Sequence, residues 1–201
     1  MAKIFDVVGN LLHEDNKLSY EMTVRGAIDK GINMRFAQLS QKTLKGLDLS
    51  YGKLTGACFV SSNLSKADCK DVDLSGADFA CANLKGADIR WGNLRGANLS
   101  GADFSDADLF KADLRGANLT NAKFTGARMD EANLDNARVY VSSYDFKVDS
   151  PNIYEEAKIE LWAHLGFRIE KISWKKLWAS GELWEHILVL KKKTGGEENN
   201  G

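Results

Sequence analysis

The chain has 201 residues, of which 44% are hydrophobic and 27% charged, a composition typical of a folded globular protein and not of a disordered one. Its 27 Lys and Arg residues balance 28 Asp and Glu residues, giving a formal net charge of −1. This balance argues against direct binding to nucleic acid. Since no long apolar run is present, neither a signal peptide nor a membrane span is expected.

The N-terminal residues 1–33 are predicted to form a cap made of a hairpin and a helix. The hairpin is expected over residues 3–14, in two short segments joined by a turn. The helix is expected over residues 20–30, with Ser19 as its N-cap and Gly31 as its stop. This cap is expected to plug one end of the region that follows.

A five-residue repeat dominates residues 34–146. Every fifth residue from Leu39 to Tyr144 is apolar or aromatic, 22 positions in unbroken register. A second column, two residues earlier, is mostly alanine, and glycine recurs two residues after the apolar centre. Two inward residues in every five suit neither a helix nor a flat strand, so the chain must turn once per repeat and close a coil every 20 residues. The glycines suit turn positions with positive φ.

The repeat resembles the A-(D/N)-L-x-x pattern of the pentapeptide-repeat family over roughly residues 37–146. Motifs that carry this resemblance include Ala77-Asp78-Phe79, Ala82-Asn83-Leu84, Ala97-Asn98-Leu99 and Ala107-Asp108-Leu109. The resemblance implies a mainly β fold, a right-handed quadrilateral β-helix with small α/β caps at both ends. Twenty-two repeats, four to a coil, give about 5.5 coils. The first coils are expected to be less regular, because Lys42, Leu47 and Gly52 occupy the alanine column.

A C-terminal α/β module rich in tryptophan is predicted over residues 147–193. It is expected to contain a helix over 151–165 and a strand over 167–174. A second strand is predicted over 186–192, with a helix from Glu182 as the alternative.

Four of the five tryptophans lie in this module, which is too small to bury them alone. They either pack against the end of the solenoid or form a homodimer interface, an arrangement common in the pentapeptide-repeat family. The candidate interface residues are Trp162, Trp174, Trp178 and Trp184. Residues 194–201 are predicted to be a disordered tail.

Motifs for catalysis, cofactors or metals are not found, so no enzyme activity, cofactor or metal site is expected. The three histidines, His13, His164 and His186, are far apart in sequence. The three cysteines, Cys58, Cys69 and Cys81, are an odd number without metal-ligand spacing, which indicates a reduced, cytoplasmic setting.

One face of the predicted solenoid is the candidate partner-binding face. It is centred on the repeats of Leu49, Cys69, Ile89, Leu109 and Met129, and it combines exposed aromatic residues with an excess of carboxylates. The candidate residues are Tyr51, Asp68, Asp71, Asp88, Trp91, Asp108 and Phe110. Asp48, Asp68, Asp88 and Asp108, spaced by 20, are expected to stack as a ladder, for which a turn-stabilising role is favoured over a ligand site. The opposite, nearly uncharged face would pack on a partner or be inert.

These features favour a non-enzymatic protein–protein interaction scaffold with no cofactor. The alternative, implied by the resemblance, is a DNA mimic that binds a DNA topoisomerase, since fluoroquinolone-resistance members of the family resemble B-form DNA and bind DNA gyrase. Against mimicry, residues 35–145 hold 14 acidic and 14 basic side chains, so their field is weak. An enzyme built on the C-terminal module would need convergent polar groups, which the sequence does not show.

Overall fold

The computed structural model describes residues 2–15, 19–142, 167–176 and 184–192, with side chains described as far as Arg138. In chain order the elements are β1 (Ala2–Phe5), β2 (Leu11–Asp15), α1 (Tyr20–Asp29), β3 (Arg138–Ser142), β4 (Phe167–Lys176) and β5 (Trp184–Lys192). Between α1 and β3 the chain consists of tight turns linked by single parallel bridges. The described part of the chain contains no helix long and apolar enough to span a membrane.

The repeat region forms stacked coils of 20 residues. Each parallel bridge joins a residue to the one 20 positions later, as in the series Asn63, Asn83 and Asp103. The amide of Asn83 donates to the carbonyl of Ser62 in the coil before, at 2.9 Å, and Asp103 accepts from the amide of Leu84 at 2.8 Å. Backbone groups of each coil are therefore paired with both neighbouring coils, which confirms the four-sided β-helix.

Each repeat turns through a left-handed residue. The amide of Ala87 donates to the carbonyl of Leu84 at 3.0 Å, closing a turn in which Gly86 has a φ of 66°. A turn with positive φ only at its third residue is of type II. All 21 corners from Phe36 to Asn136 have positive φ, although only eight of them are glycine and 13 are other residues.

The interior is filled by the two columns that the sequence indicates. The large centre residues from Leu39 to Leu134 are buried, and the alanines two positions earlier are buried or nearly so. The rings of Phe59 and Phe79 stack at 4.7 Å between centroids. Ser62, one of the few non-alanine residues of the small column, is buried and donates its hydroxyl to the Phe59 carbonyl at 2.6 Å. Its polar group is thereby satisfied inside the core.

The hairpin formed by β1 and β2 continues into the first coil. The two strands pair antiparallel, and beyond β1 Asp6 bridges Ala37 in the opposite direction. The carbonyl of Phe5 accepts from the amide of Gln38 at 2.7 Å. The first coil therefore has hydrogen-bonding partners on its N-terminal side, where an exposed edge would otherwise remain.

Helix α1 packs next to this edge. The Ser19 side chain accepts from the amide of Met22 at 3.3 Å and begins the helix, as its sequence position indicates. The Tyr20 hydroxyl donates to the carbonyl of Gln38 at 3.3 Å, and burial raises its pKa to about 12. Val24 and Ala27 are fully buried.

The expected irregularity of the first coils is wrong for the backbone. Thr43 bridges Asn63 as in later coils, and the corners there have the same left-handed φ. The unusual side chains are explained by α1: Lys42 is exposed with its ammonium 4.8 Å from the Tyr20 ring centroid. A Cβ on Gly52 would lie 2.9 Å from the Leu49 carbonyl oxygen and 3.4 Å from Ile28 of α1.

The sequence predicts that the solenoid extends to residue 146, but its coils end earlier. The amide of Arg138 still donates to Ala117 in the coil before, at 2.8 Å, but residues 138–142 form β3 and not another corner. β3 pairs antiparallel with β5, which also pairs antiparallel with β4, giving the strand order β3-β5-β4. The apolar centre Val139 therefore belongs to a sheet strand that finds its hydrogen-bonding partner in β5.

The C-terminal strands lie where the sequence places them. β4 spans the strand predicted over 167–174, and β5 spans the strand predicted over 186–192. The alternative of a helix from Glu182 is wrong for residues 184–192, which are strand. The helix predicted over 151–165 and the tail over 194–201 lie outside the described residues.

Candidate partner-binding face

The four corners of the solenoid differ in composition. One column of corner residues, here called the glycine corner, stacks Gly56, Gly76, Gly96 and Gly116 in consecutive coils. The neighbouring column, here called the side-chain corner, contains no glycine and consists of Tyr51, Asp71, Trp91, Lys111 and Glu131. All nine residues have positive φ, between 52° and 69°.

The side-chain corner stores conformational strain. A left-handed conformation costs an L-residue roughly 1 kcal/mol relative to glycine, which has no Cβ to clash with its carbonyl. The glycine corner avoids this cost with the same fold and the same turn. Residues held in rare conformations cluster where their side chains bind something, so the strain marks this corner as a candidate site.

Trp91 and Phe110 form the aromatic centre of the face. Trp91 is 46% exposed and Phe110 is half-buried, and their rings meet edge to face with centroids 5.8 Å apart. The guanidinium of Arg90 lies 5.5 Å from the Trp91 ring, and that of Arg128 lies 4.5 Å from the Phe110 ring. These cations fix the orientation of the rings and leave part of the indole open to solvent.

Tyr51 lies towards the N-terminal end of the same corner. Its side chain is 74% exposed and lines an open cleft of about 460 Å³. Asp71 and Asp73 also line the cleft, and Asn33 and Arg35 contribute from the segment that enters the first coil. The structure thus brings Tyr51 together with Asp71, and Trp91 with Phe110, as two neighbouring parts of one face.

Asp68, Asp88 and Asp108 stack as the sequence predicts. Consecutive members are joined by parallel bridges, and each is half-buried. Each carboxylate accepts a hydrogen bond from the backbone amide two residues further on, at 3.1, 3.3 and 3.0 Å. The turn-stabilising role of these residues is therefore confirmed.

Cations are interleaved between the carboxylates. The Lys70 ammonium lies 2.8 Å from Asp68 and 3.9 Å from Asp88 in the next coil. The Arg90 guanidinium lies 2.6 Å from Asp88 and 3.9 Å from Asp108. Burial raises the pKa of Asp88, but hydrogen bonds from Arg90 and the charges of Arg90 and Lys70 outweigh it, so the pKa is lowered overall. The negative charges of the ladder are thus locally balanced by cations of the same face.

Two further cations contribute to this face, and sequence reasoning missed them. Arg25 of α1 lies 2.7 Å from Asp48 and 2.6 Å from Asp29. Burial raises the pKa of Asp48, but hydrogen bonds from Ser50 and the charge of Arg25 together outweigh it, so the pKa is lowered overall. Arg35 lines the cleft beside Tyr51. Neither residue has a five-residue signal, because Arg25 lies in α1 and Arg35 occupies a variable outward position directly before the corner Phe36.

Cys69, at the centre of the face, points into the core. Burial raises the pKa of its thiol, and the charges of Asp68 and Asp88 act in the same direction. The thiol is therefore protonated and unreactive. Within the described ranges, no three His, Cys, Asp or Glu side chains are arranged to hold a metal ion.

The candidate dimer residues are only partly placed. Trp174 lies in β4 opposite His186, and Trp184 lies in β5 opposite Lys176. Trp162 and Trp178 lie outside the described residues. Their role at an interface stays a prediction.

The coil geometry agrees with a family comparison. The family model for pentapeptide repeats matches the chain in eight copies, over residues 62–101 and 102–139. This chain belongs to the pentapeptide-repeat family. None of the curated proteins matches it.

Solved structures of other pentapeptide-repeat proteins resemble this chain. One from the Arabidopsis thaliana thylakoid lumen is 31% identical, covering 59% of this chain and 74% of that one, with a TM-score of 0.41. One from Nostoc PCC 7120 is 44% identical, covering 40% of this chain and 66% of that one, with a TM-score of 0.39. Trypsin-treated QnrB1, a plasmid-mediated fluoroquinolone resistance protein, is 27% identical, covering 49% of this chain and 57% of that one, with a TM-score of 0.27. The chain thus spans less than two thirds of that QnrB1 chain.

Proposed function

We propose that this pentapeptide-repeat protein is a non-enzymatic scaffold that binds a protein partner through the side-chain corner and the acidic face beside it. The observation that carries the proposal is the column of five left-handed residues without a glycine, two of which are exposed aromatics. Each of the other three corner columns contains at least one glycine, whereas this column has a costly side chain in every coil. Exposed tryptophan and tyrosine are the residue types that most often anchor protein interfaces.

Rigidity supports the same function. The corners from Phe36 to Asn136 follow at strict five-residue intervals, so no insertion or mobile loop interrupts the faces. A partner would meet side chains that are already ordered, because Arg90 is held by Asp88 and Phe110 by Trp91. Such preorganisation reduces the entropy lost on binding.

Affinity capture with two matched variants tests this function. Trp91→Ala removes the aromatic centre of the face, whereas Phe36→Ala removes another left-handed aromatic, 47% exposed, at the end of the glycine corner. We expect a bacterial protein that the wild-type chain and Phe36→Ala retain but Trp91→Ala loses. Equal retention by all three chains would contradict the proposal, as would equal loss by both variants.

A DNA mimic that binds DNA gyrase is the second candidate function. It is favoured by the ladder of Asp48, Asp68, Asp88 and Asp108, which repeats a carboxylate at each coil, and by the similarity to a fluoroquinolone resistance protein. The interleaved cations count against it because they weaken the field of the ladder. A gyrase supercoiling assay with and without a fluoroquinolone tests this function. If micromolar protein has no effect on supercoiling in either condition, this candidate is excluded.

The two ends are proposed to close the solenoid. The bonds from Phe5 and Tyr20 to Gln38 support a capping role for the hairpin and α1. The tryptophan-rich module is proposed to form a homodimer, and a chain truncated after Asp149 tests it. If the truncated chain kept the same oligomeric state by size measurement, the C-terminal interface would be excluded.

A cytoplasmic location is proposed from the three cysteines, all free thiols, one of them exposed. Cell fractionation of the tagged full chain tests it, and recovery outside the cytoplasm would contradict it.

A further inference from the structure

A second face of the solenoid carries a compact group of lysines. It is formed by the repeats centred on Leu44, Leu64 and Leu84, whose outward positions contain no carboxylate. The group, here called the lysine patch, consists of Lys42, Lys45, Lys66 and Lys85, all of which are exposed. The other outward residues of these repeats are short and neutral, so the ammonium groups project furthest from this surface.

The lysines of the patch differ from the cations of the acidic face in how they are paired. Lys70 and Arg90 each contact carboxylates of two consecutive coils. Among the described residues, by contrast, no carboxylate lies within ion-pair distance of Lys45 or Lys66, whereas Lys85 pairs with Asp106 of the next coil at 3.8 Å. The charges of Lys45 and Lys66 are therefore available to an external anion.

Lys66 gives a second, independent observation. It is a corner residue with a φ of 59°, between Gly46 in the coil before and Gly86 in the coil after, which have the same conformation. A Cβ at Gly86 would lie 3.7 Å from the Lys66 side chain. Lys66 thus occupies a strained corner position, although glycine occupies the same corner in the coils directly before and after it.

The patch has a defined end. In the fourth coil the same face presents Asp103 and Asp106, so the positive surface covers three coils, with Lys45 and Lys85 about 10 Å apart along the axis. A duplex or a bilayer lying along the face would bring its phosphates against these two carboxylates. A short extended segment of about four or five residues, about 3.3 Å each, fits between them and the first coil.

We propose that the lysine patch binds a short acidic segment of a partner protein, with carboxylates on alternate residues of an extended chain. Alternate side chains point to one side and repeat at about 7 Å, a spacing that flexible lysines on successive coils reach. Asp103 and Asp106 limit the length of the segment by repulsion. This surface is separate from the side-chain corner and does not depend on the function assigned to that corner.

The test uses the full chain and a fluorescein-labelled Glu-Ser-Glu-Ser-Glu pentapeptide, whose binding is followed by fluorescence anisotropy at low ionic strength. Lys45→Ser/Lys85→Ser copies the Ser65 that lies between them in the same column. The matched control Lys30→Ser/Arg95→Ser removes the same charge from other surfaces. We expect binding that weakens as salt is added, a loss of at least about tenfold in the patch variant, and a change below about twofold in the control.

Three results would overturn the proposal. The first is no binding of the pentapeptide by the wild-type chain. The second is an equal loss in both double variants, which would mean that net charge alone attracts the peptide. The third is tighter binding of a 20-base-pair duplex or of phosphatidylserine vesicles that the same two lysines control. Lys66→Gly is a further variant, expected to weaken peptide binding while the chain unfolds at a higher urea concentration than wild type.

Discussion

The glycine corner and the side-chain corner are built from the same turn and differ in what occupies it. At Gly76, Gly96 and Gly116 a Cβ would meet nothing within 4 Å, yet no side chain is present. At Tyr51 and Trp91 large side chains take the same left-handed conformation and extend into solvent. Available space therefore does not decide where glycine occurs, because the glycine corner has room for a side chain and yet has none.

This difference separates the requirements of the fold from those of a surface. The turn needs a residue that tolerates positive φ, and glycine meets that need at the lowest cost. None of the 13 other left-handed residues is β-branched, which agrees with the steric limit on such side chains. Side chains at the costly positions then indicate where the molecule gains something other than stability.

A β-branched residue at the glycine corner should have the largest effect. Gly96→Val places a stiff side chain at a φ of 64° and is expected to lower the free energy of unfolding by about 2 kcal/mol, and Gly96→Ala by about 1 kcal/mol. Arg95→Val, at the preceding turn position, should change it by less than about 0.5 kcal/mol. Urea unfolding measures all three, and a neutral Gly96→Val would show that the corner is not restricted to glycine-like conformations.

Glycine follows the two large aromatic residues of the side-chain corner, whereas Val72, Ala112 and Ala132 follow its other three residues. Tyr51 and Trp91 are each followed by glycine in the small inward column, and a Cβ on Gly92 would lie 2.8 Å from Ile89 Cγ2 and 3.0 Å from the Ile89 carbonyl oxygen. Gly92→Ala is expected to destabilise the protein by about 1 kcal/mol, since the Ile89 side chain and backbone must shift. Thermal unfolding checks this, and wild-type stability would mean that Ile89 moves without cost.

Most of the solenoid follows from its sequence because one period determines two columns. The centre and alanine columns identify the buried residues, and glycine two residues after the centre identifies the left-handed corner. The aspartate ladder and the exposure of Tyr51 and Trp91 follow from counting by 20. Local rules suffice here, since every coil repeats the environment of the previous one.

Features outside the repeat could not be predicted in this way. The end of the coils at Arg138 depends on β5, about 50 residues later, which supplies hydrogen bonds to β3. The regular first coils depend on α1, which supplies contacts where Lys42 and Gly52 replace alanine. Pairings between distant segments leave no periodic trace in the sequence.

The residues before the two corners give a pH test of smaller size. Asp88 precedes the side-chain corner and its pKa is lowered in the folded state, whereas Asn93 precedes the glycine corner. A lowered pKa adds stability above the unfolded value of about 4, and this is lost as the pH falls through the folded value. Asp88→Asn keeps a turn acceptor and should lose less stability than wild type below about pH 4. Identical acid unfolding curves would contradict this.

The comparison of Trp91→Gly with Trp91→Ala tests the central claim most directly. Both variants lose the indole and its contact with Phe110, but only alanine keeps a Cβ at a φ of 56°. We predict that the glycine variant is more stable to urea unfolding by about 1 kcal/mol. Equal stability, or a more stable alanine variant, would show that the side-chain corner carries no left-handed strain and would contradict the reason for treating it as a binding site.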